Sequence, residues 1–266
     1  MPRRHSDPDF IEAIARGLDV IRAFRPGGAM SLTEIATAAD LARPTARRIL
    51  VTLESLGYVR AGDGGFQLTP RVLELGLTYV QAMGLWDVAR PHLEHLVART
   101  HESSSIAELD GSDIVYVARV AVPKIITLAV SIGTRFPAPV TSLGKVLLAG
   151  LTSEELDAAL AEPSRSGVTP RASFDRPALD EELASVRARG WALTDEQLAG
   201  GIRSVAAPLR GADGRVIAAM NVTVHAAETS VGTLVGDHLP LLLQTASEVS
   251  GDFAAYGAVP VHVLRA

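Results

Sequence analysis

The sequence predicts an α+β chain with a small N-terminal unit of helices and a hairpin, a linker helix, and a larger unit built on an antiparallel sheet with flanking helices. Two short helical patterns followed by a glycine-rich hairpin occupy residues 31–68. Across residues 104–253, hairpin-linked strand patterns mix with helical patterns without strict alternation, which favours an antiparallel sheet covered by helices. No apolar run approaches the ~20 residues that a membrane helix needs.

The first helical pattern of residues 31–68 opens with a capping box. In this motif the Ser31 hydroxyl and the Glu34 carboxylate each satisfy a free amide of the other residue at a helix start. After a four-residue connection, Pro44 stands at a first helical position, where its missing amide hydrogen costs nothing. The second helix is predicted to extend to about Leu56, and Gly57 ends it.

The second helix has one apolar and one basic face. At ~100° per residue, an apolar stripe is predicted to face a core, whereas two arginines point the other way. Two helices joined by a tight turn, with arginines exposed on the second, fit a helix-turn-helix whose recognition helix enters the major groove. The predicted core residues are Ala46, Ile49, Leu50, Leu53 and Leu56, and the opposite face holds Arg47, Arg48, Val51 and Ser55.

A hairpin after the second helix is predicted to form a wing. Tyr58–Arg60 and Phe66–Leu68 have strand character, and Asp63-Gly64-Gly65 supplies the positive-φ positions of a tight turn. The alternative is two amphipathic helices with solvated arginines. We favour a winged helix-turn-helix over residues 9–68, because the ordered combination of these features is much rarer than any one of them.

Two further helices flank this unit. Residues 9–25 carry an apolar stripe that is predicted to cover its core, formed by Phe10, Ile11, Ile14, Leu18, Ile21 and Phe24. Thr69-Pro70 repeats the cap-then-proline pattern and predicts a linker helix over residues 69–84. A helix can transmit a rotation between two units, whereas a flexible tether would decouple them. The second unit is predicted to span residues 85–254 and to include a strand over residues 125–132 and a helix from Asp180 to Arg189.

The charge distribution is compatible with a nucleic-acid partner although the net charge is −5. Residues 1–68 hold nine arginines and eight acidic residues, so the acidic excess lies in the rest of the chain. A weakly basic head on an acidic body suits a specific DNA binder. The chain contains no cysteine, which is compatible with a reducing cytoplasm, and its polar N-terminus does not resemble a secretory signal.

The segment LARPTARRILVTLESLGYV at residues 41–59 resembles the recognition segment of the IclR-type transcriptional regulators. It is most similar to the branch that regulates the protocatechuate and β-ketoadipate pathway, although Pro44 replaces the small residue more usual there. IGTRFPAPVTSLGKVLLAG at 132–150 and GWALTDEQLAGGIRSVAAPLRGADGRVIAAMNVTVH at 190–225 resemble the two signature stretches of the effector domain, a relative of the GAF and profilin-like folds. The resemblance covers about residues 10–253.

The resemblance implies a sequence-specific DNA-binding regulator, not an enzyme, with no cofactor. Its effector is expected to be a small organic acid of aromatic catabolism, either an aromatic acid or a β-ketoadipate-like dicarboxylate. The resemblance also implies a homodimer formed through the head, with contacts on the first helix, or a dimer of dimers paired through the effector domains. For DNA we predict contacts from Ser31, Thr33, Arg43, Thr45, Arg47, Arg48 and Arg60. The effector-contacting positions carried over by motif are Leu128, Ser142, Leu143, Thr194, Ile202, Ser204 and Asn221.

An alternative function is a small-molecule enzyme or sensor with an accessory helical domain. Ser142 and Lys145 match Ser-x-x-Lys, in which a lysine can activate a serine nucleophile, but the companion motifs are absent. Ser142 is equally well explained as a helix cap. A third alternative, an architectural protein without a ligand, leaves the second unit unexplained.

Three other groups of polar residues allow more than one interpretation. His92 and His95 lie three apart, but metal binding would need a further donor, so solvated helix residues are favoured. Arg135 is either a counter-charge for an acid or an exposed loop residue. Ser204 and Asn221 could instead satisfy the edges of a sheet.

Overall fold

The computed structural model describes residues 9–25, 28–76, 85–123 and 130–258. The chain divides into two compact units, which we call the head (Met1–Ala82) and the body (Met83–Ala266). Within the described residues, no helix is long and apolar enough to cross a membrane.

The described part of the head consists of helices and one hairpin. After the hairpin, a 3-10 turn at Pro70–Leu73 begins where the linker helix was predicted, and residues 77–84 of that prediction lie outside the described residues. The helices are α1 (Glu12–Ala23), α2 (Leu32–Ala38) and α3 (Arg43–Ser55), and the antiparallel strands are β1 (Val59–Gly62) and β2 (Gly65–Leu68).

The capping box at the start of α2 is confirmed. The Ser31 amide donates to Glu34 Oε2 at 2.8 Å, and the Glu34 amide donates to Ser31 Oγ at 3.3 Å. The hydrogen bond from the Ser31 backbone is the main reason that the pKa of Glu34 is lowered. At the start of α3, Ala42 occupies the cap and Pro44 stands in the first turn, as a proline can without loss.

Part of the predicted core of the head is wrong. Four residues of the apolar stripe on α1 are exposed: Phe10, Ile11, Ile14 and Leu18. Ile21 and Phe24 pack against the core as predicted, and the helix also buries Val20 and Ala23, so only its C-terminal half covers the core. On α3, Ala46, Leu50 and Leu53 are buried as predicted, but Leu56 is exposed, since Gly57 at φ 81° turns the chain and Val59 fills this end of the core.

The body is built around a six-stranded antiparallel sheet with the order β5-β4-β3-β8-β7-β6. The α+β prediction is therefore confirmed. The strands are β3 (Ser103–Asp110), β4 (Asp113–Val120), β5 (Arg135–Pro137), β6 (Ala192–Asp195), β7 (Ile202–Arg210) and β8 (Val216–His225). The helices are α4 (Leu85–Thr100), α5 (Ser142–Ala149), α6 (Ser153–Ala161), α7 (Arg176–Arg189), α8 (Val231–Thr233) and α9 (Leu239–Ala258), with a 3-10 turn at Ala138–Val140 and a π-helical turn at Leu234–His238.

Helices cover both faces of this sheet. Val205 of β7 and Val222 of β8 belong to an apolar cluster with α4 and α9, whereas Ala206 and Ala219 belong to a cluster with α5 and α7. Side chains alternate between the faces because the strand period is two. Ser204, two residues before Ala206, and Asn221, two residues after Ala219, therefore lie on the α5 side of the sheet.

Two elements of the body differ from the prediction. A strand was predicted over residues 125–132; residues 125–129 lie outside the described part, and 130–132 are not strand. The neighbouring strand is β5, three residues further on. Helix α7 begins at Arg176 and not at Asp180, because Asp175 accepts a hydrogen bond from the Ala178 amide and caps an earlier start.

Candidate nucleic-acid interface and ligand pocket

Helix α3 presents an exposed basic face. Arg43, Arg47 and Arg48 are exposed, and none of the described acidic residues lies within ion-pairing distance of their guanidinium groups. Thr45 is half-buried beside them. These guanidinium groups are therefore available to an external anion.

The hydroxyl groups on the same face are already hydrogen-bonded to their own helix. Thr52 Oγ1 donates to the Arg48 carbonyl at 3.0 Å, and Ser55 Oγ donates to the Val51 carbonyl at 2.9 Å. Such bonds to the preceding turn are common for Ser and Thr within helices. The arginines therefore dominate the polar chemistry of this face.

The wing is tied to both helices of the pair. Met30, just before α2, exchanges two backbone hydrogen bonds with Phe66 at 2.9 and 2.8 Å, and the Ala61 amide donates to Glu54 Oε1 of α3 at 3.0 Å. Gly65 has φ 114°, and a Cβ there would clash with the Met30 carbonyl. Of the three turn residues expected to have positive φ, Gly65 alone does.

The remaining predicted DNA-contacting residues lie at the start of α2 and on the wing. Ser31 and Thr33 are exposed, although the Ser31 hydroxyl is used by the capping box. Arg60 is exposed on β1, and its Nε and Nη2 donate to Gln67 Oε1 across the hairpin at 3.2 and 2.9 Å. That acceptor is neutral, so the Arg60 charge is not neutralised by it.

The body encloses a cavity between the N-terminus of α5 and the sheet. Its volume of about 60 Å³ is several times the ~10–15 Å³ that one water needs. Six of the seven predicted effector-contacting residues line it, and the seventh, Leu128, lies outside the described residues. The lining residues are Ser103, Tyr116, Arg119, Val130, Thr141, Ser142, Leu143, Thr194, Leu198, Ile202, Ser204, Asn221, Thr223, Val224 and His225.

Four of these residues form a hydrogen-bonded cluster. Ser142 Oγ donates to Ser204 Oγ at 2.8 Å, and Asn221 Nδ2 donates to Ser204 Oγ at 3.1 Å and to Thr223 Oγ1 at 2.9 Å. Ser204 Oγ donates in turn to the Val222 carbonyl at 3.2 Å. Ser204 and Asn221 lie on inner strands of the sheet and not at its edge.

Ser142 is not the helix cap that the sequence suggested. The cap of α5 is Thr141, whose Oγ1 accepts a hydrogen bond from the Gly144 amide at 3.0 Å. Ser142 is the first helical residue, and its hydroxyl points to Ser204. Its oxygen keeps acceptor capacity after donating that one hydrogen.

The Ser-x-x-Lys motif does not form a catalytic pair. Lys145 is buried, and its Nζ donates to Glu182 Oε1 at 2.7 Å and to Gln197 Oε1 at 2.6 Å, not to Ser142. Burial lowers the pKa of Lys145, and its hydrogen bond with Glu182 opposes that shift. The lysine thus connects α5 to α7 and to the loop before β7.

Arg119 is a cavity residue that sequence reasoning missed. It is half-buried, its Nη1 donates to Ser105 Oγ at 2.9 Å, and its buried Nε has no hydrogen-bond partner among the described residues. Burial lowers the pKa of Arg119. The available indication was an arginine inside an otherwise apolar strand pattern, but that pattern did not give the face it occupies.

Arg135 takes neither of the roles expected for it. It lies on β5, and its guanidinium forms ion pairs with Asp110 at 2.6 Å and with Asp113 at 3.3 Å. It does not line the cavity. Its charge is therefore neutralised by the turn between β3 and β4.

Tyr116 and His225 are further cavity residues that the sequence did not indicate. Tyr116 packs edge-to-face on Phe136 with ring centroids 5.7 Å apart, and burial raises its pKa to about 12. His225 Nδ1 accepts a hydrogen bond from the Ala227 amide at 3.2 Å, so in neutral His225 the proton lies on Nε2. Both residues add hydrogen-bonding groups to a mainly apolar wall.

The two histidines of α4, His92 and His95, lie in different surroundings. His92 Nε2 lies 2.9 Å from Asp252 Oδ2, and its Nδ1 lies 3.7 Å from Glu248 Oε2, whereas His95 is exposed. In the described ranges, no group of three or more His, Asp or Glu residues is placed to hold a metal ion. His92 instead links α4 to α9.

Comparison with known proteins gives matches along most of the chain. The IclR helix-turn-helix domain matches residues 13–63, and the C-terminal domain of the bacterial transcriptional regulator IclR matches residues 77–251. The Pca regulon regulatory protein of Pseudomonas putida is 36% identical over 245 residues, which are 91% of this chain and 84% of that protein.

Two solved structures are similar over nearly their whole length. A protein of Rhodococcus sp. RHA1, described as a transcriptional regulator, has 48% identity and a TM-score of 0.80, covering 93% of this chain and 100% of that one. An IclR homolog of Microbacterium hydrocarbonoxydans, solved in complex with 4-hydroxybenzoate, has 26% identity and a TM-score of 0.79, covering 91% and 99%.

Proposed function

Because this chain belongs to the IclR family of bacterial transcriptional regulators, we propose that it is an operator-binding regulator whose effector is a small aromatic acid. Two relatives support this choice of effector: one is named for the Pca regulon, and one was solved with 4-hydroxybenzoate. The wall of the cavity combines apolar side chains with a few polar groups, as is usual in ligand sites.

In the head, α3 is the proposed recognition helix. Arg47 would read base edges and Arg43 would hold a phosphate, because arginine can bind guanine bidentately or clamp a phosphate oxygen. Their exposure and lack of ion pairs among the described residues support this role. Arg60 and the wing would contact the backbone near the minor groove, and Ser31, Thr33, Thr45 and Arg48 complete the proposed interface.

The regulator is proposed to act as a homodimer or a dimer of dimers. Ile11, Ile14 and Leu18 form an exposed apolar stripe on α1, and a second copy of the head could cover it. A two-fold dimer would read a pseudo-palindromic operator. Operator binding implies a cytoplasmic location, and a linker helix over residues 69–84 would connect a 9–68 DNA-binding domain to an 85–254 effector domain.

The body is the proposed effector domain. Leu143, Ile202 and Leu198 would contact an aromatic ring, while Ser142, Thr194, Ser204 and Asn221 would supply or support its polar contacts. Leu128 remains part of the proposal through the resemblance alone. Catalysis by Ser142 is not favoured, because its hydroxyl donates to another serine hydroxyl and not to a base.

The observation that carries this proposal is the set of exposed arginines on α3, which have no ion-pair partner among the described residues. The test is selection from a random-sequence DNA library by the full chain, followed by anisotropy titrations of the selected duplex with 4-hydroxybenzoate. We expect one inverted-repeat sequence to be enriched and its affinity to change with the acid. Enrichment of no sequence above background would contradict the proposal.

A further inference from the structure

We propose that Arg119 anchors the carboxylate of the effector, and that Ser142 accepts a hydrogen bond from a group at the opposite end of the ring. The cavity would then select aromatic acids with a donor para to the carboxylate. This inference rests on the proposed function, since it assumes an aromatic acid in this cavity. It goes beyond it by assigning the two ends of the ligand to particular residues.

The charge of Arg119 is not neutralised by any acidic residue in the described part of the chain. Its one hydrogen-bond partner within the described residues is the neutral Ser105 hydroxyl, and its Nε is buried without a partner. Arg135 on the neighbouring strand has two aspartates instead. A half-buried cation without an anion is costly, and a carboxylate bound bidentately would offset that cost.

The two ends of the cavity lie on different strands. Arg119 pairs with Ser105 on β3, which pairs with Asn221 on β8, and Ser204 lies on the next strand, β7. Because Arg119 Nη1 donates to Ser105 Oγ, the guanidinium group reaches β3. Two strand spacings, about 10 Å, separate β3 from β7, and a benzene ring with a substituent at each end suits a span of this size.

The Ser142 end of the cavity offers an acceptor. The Ser204 oxygen lies within hydrogen-bond distance of three donors, Ser142 Oγ, Asn221 Nδ2 and Thr223 Oγ1, and gives its own hydrogen to the Val222 carbonyl, so its capacity is used. Ser142 has given its hydrogen to Ser204 and can therefore only accept. A donor such as a phenolic hydroxyl complements this end, whereas an unsubstituted ring would leave it without a partner.

The test compares four probes by calorimetry on the full chain: 4-hydroxybenzoate, 3-hydroxybenzoate, benzoate and the neutral 4-hydroxybenzamide. For the wild type, we expect 4-hydroxybenzoate to bind most tightly and the amide about 10- to 100-fold more weakly, as for the loss of a charge-assisted hydrogen bond. This comparison needs no variant. An amide that binds as tightly as the acid overturns the role of Arg119.

Variants then assign the two ends. Arg119→Met should weaken binding of the acids about 10- to 100-fold and leave binding of the amide unaffected. Arg119→Lys should have an intermediate effect on acid binding, because lysine keeps the charge but not the bidentate geometry. Ser142→Ala should lower the affinity for 4-hydroxybenzoate towards the affinity for benzoate. It should leave the affinity for benzoate unchanged. Arg99→Met, which removes an exposed arginine from α4, is the matched control and should change nothing.

The outcomes separate this inference from the proposed function. If the wild type binds none of the acids, the aromatic effector is wrong and this inference is overturned with it. If the wild type binds 4-hydroxybenzoate and both Arg119 variants bind it as tightly as the wild type does, only the role of Arg119 as the carboxylate anchor is wrong. Amide binding by each variant shows that its pocket is folded.

Discussion

Arg47 and Arg119 are the same kind of residue in two opposite settings. Arg47 lies on an exposed helix face, where water solvates its charge and an absent partner costs little. Arg119 is half-buried at a cavity, and burial already lowers its pKa. The exposed site therefore suits a polyanion that displaces counterions, with strong salt dependence, whereas the enclosed site suits one small acid.

Removing the exposed charges of α3 should affect DNA binding and not effector binding. Arg47→Ala combined with Arg48→Ala should abolish operator discrimination, because each base-reading arginine contributes ~1–3 kcal/mol. Binding of 4-hydroxybenzoate should be unchanged. A mobility-shift titration with selected DNA measures the effect, with Arg99→Ala as the control, and unchanged operator binding would show that α3 is not the recognition helix.

The converse change fills the cavity. Ser142→Trp and Ser204→Leu should each lower the affinity for 4-hydroxybenzoate, by about 100-fold, because each removes space and a member of the polar cluster. Operator binding without effector should remain. Calorimetry on the full chain measures the first effect, and intact acid affinity in both variants would place the ligand elsewhere.

A backbone substitution tests the attachment of the wing. Gly65→Ala should destabilise the head by ~1–3 kcal/mol, because the new Cβ clashes with the Met30 carbonyl at a φ unfavourable to alanine. Gly62→Ala is the matched control, since nothing lies within 4 Å of its added Cβ. Urea unfolding followed by circular dichroism compares the two, and equal midpoints would refute the constraint.

A weaker effect is expected for Arg60 on strand β1 of the wing. Arg60→Ala should weaken binding to all DNA sequences alike and reduce the slope of affinity against salt by about one ion. Its neutral Gln67 partner leaves its charge available for a phosphate. Titrations at several salt concentrations measure this slope, and a loss confined to one base position would instead indicate base reading.

The two sites also differ in how far the sequence revealed them. The capping box of Ser31 and Glu34 and the exposed arginines of α3 depend on residues three or four apart, so local patterns were sufficient. The prediction that the α1 stripe is buried in the head was wrong for most of the stripe. An apolar face in the sequence does not show whether the chain itself or a partner covers it.

The cavity depends on contacts between distant strands. A bulge beside Ile106 and Ala107 pairs these residues with Ala118 and Tyr116, which leaves Val117 unpaired. In a regular strand Tyr116 and Arg119, three apart, would face opposite sides of the sheet; with the extra residue both line the cavity. Alternation alone could not place Arg119 there, so the resemblance supplied six cavity residues and missed the cation.

We expect the acid bound in the body to change DNA binding by the head. The most direct test measures the affinity of the full chain for selected operator DNA with and without saturating 4-hydroxybenzoate, and the affinity for the acid with and without saturating operator. Linkage requires both affinities to change by the same factor, and we expect about 5- to 150-fold. An acid that binds tightly yet leaves operator affinity unchanged would contradict the claim.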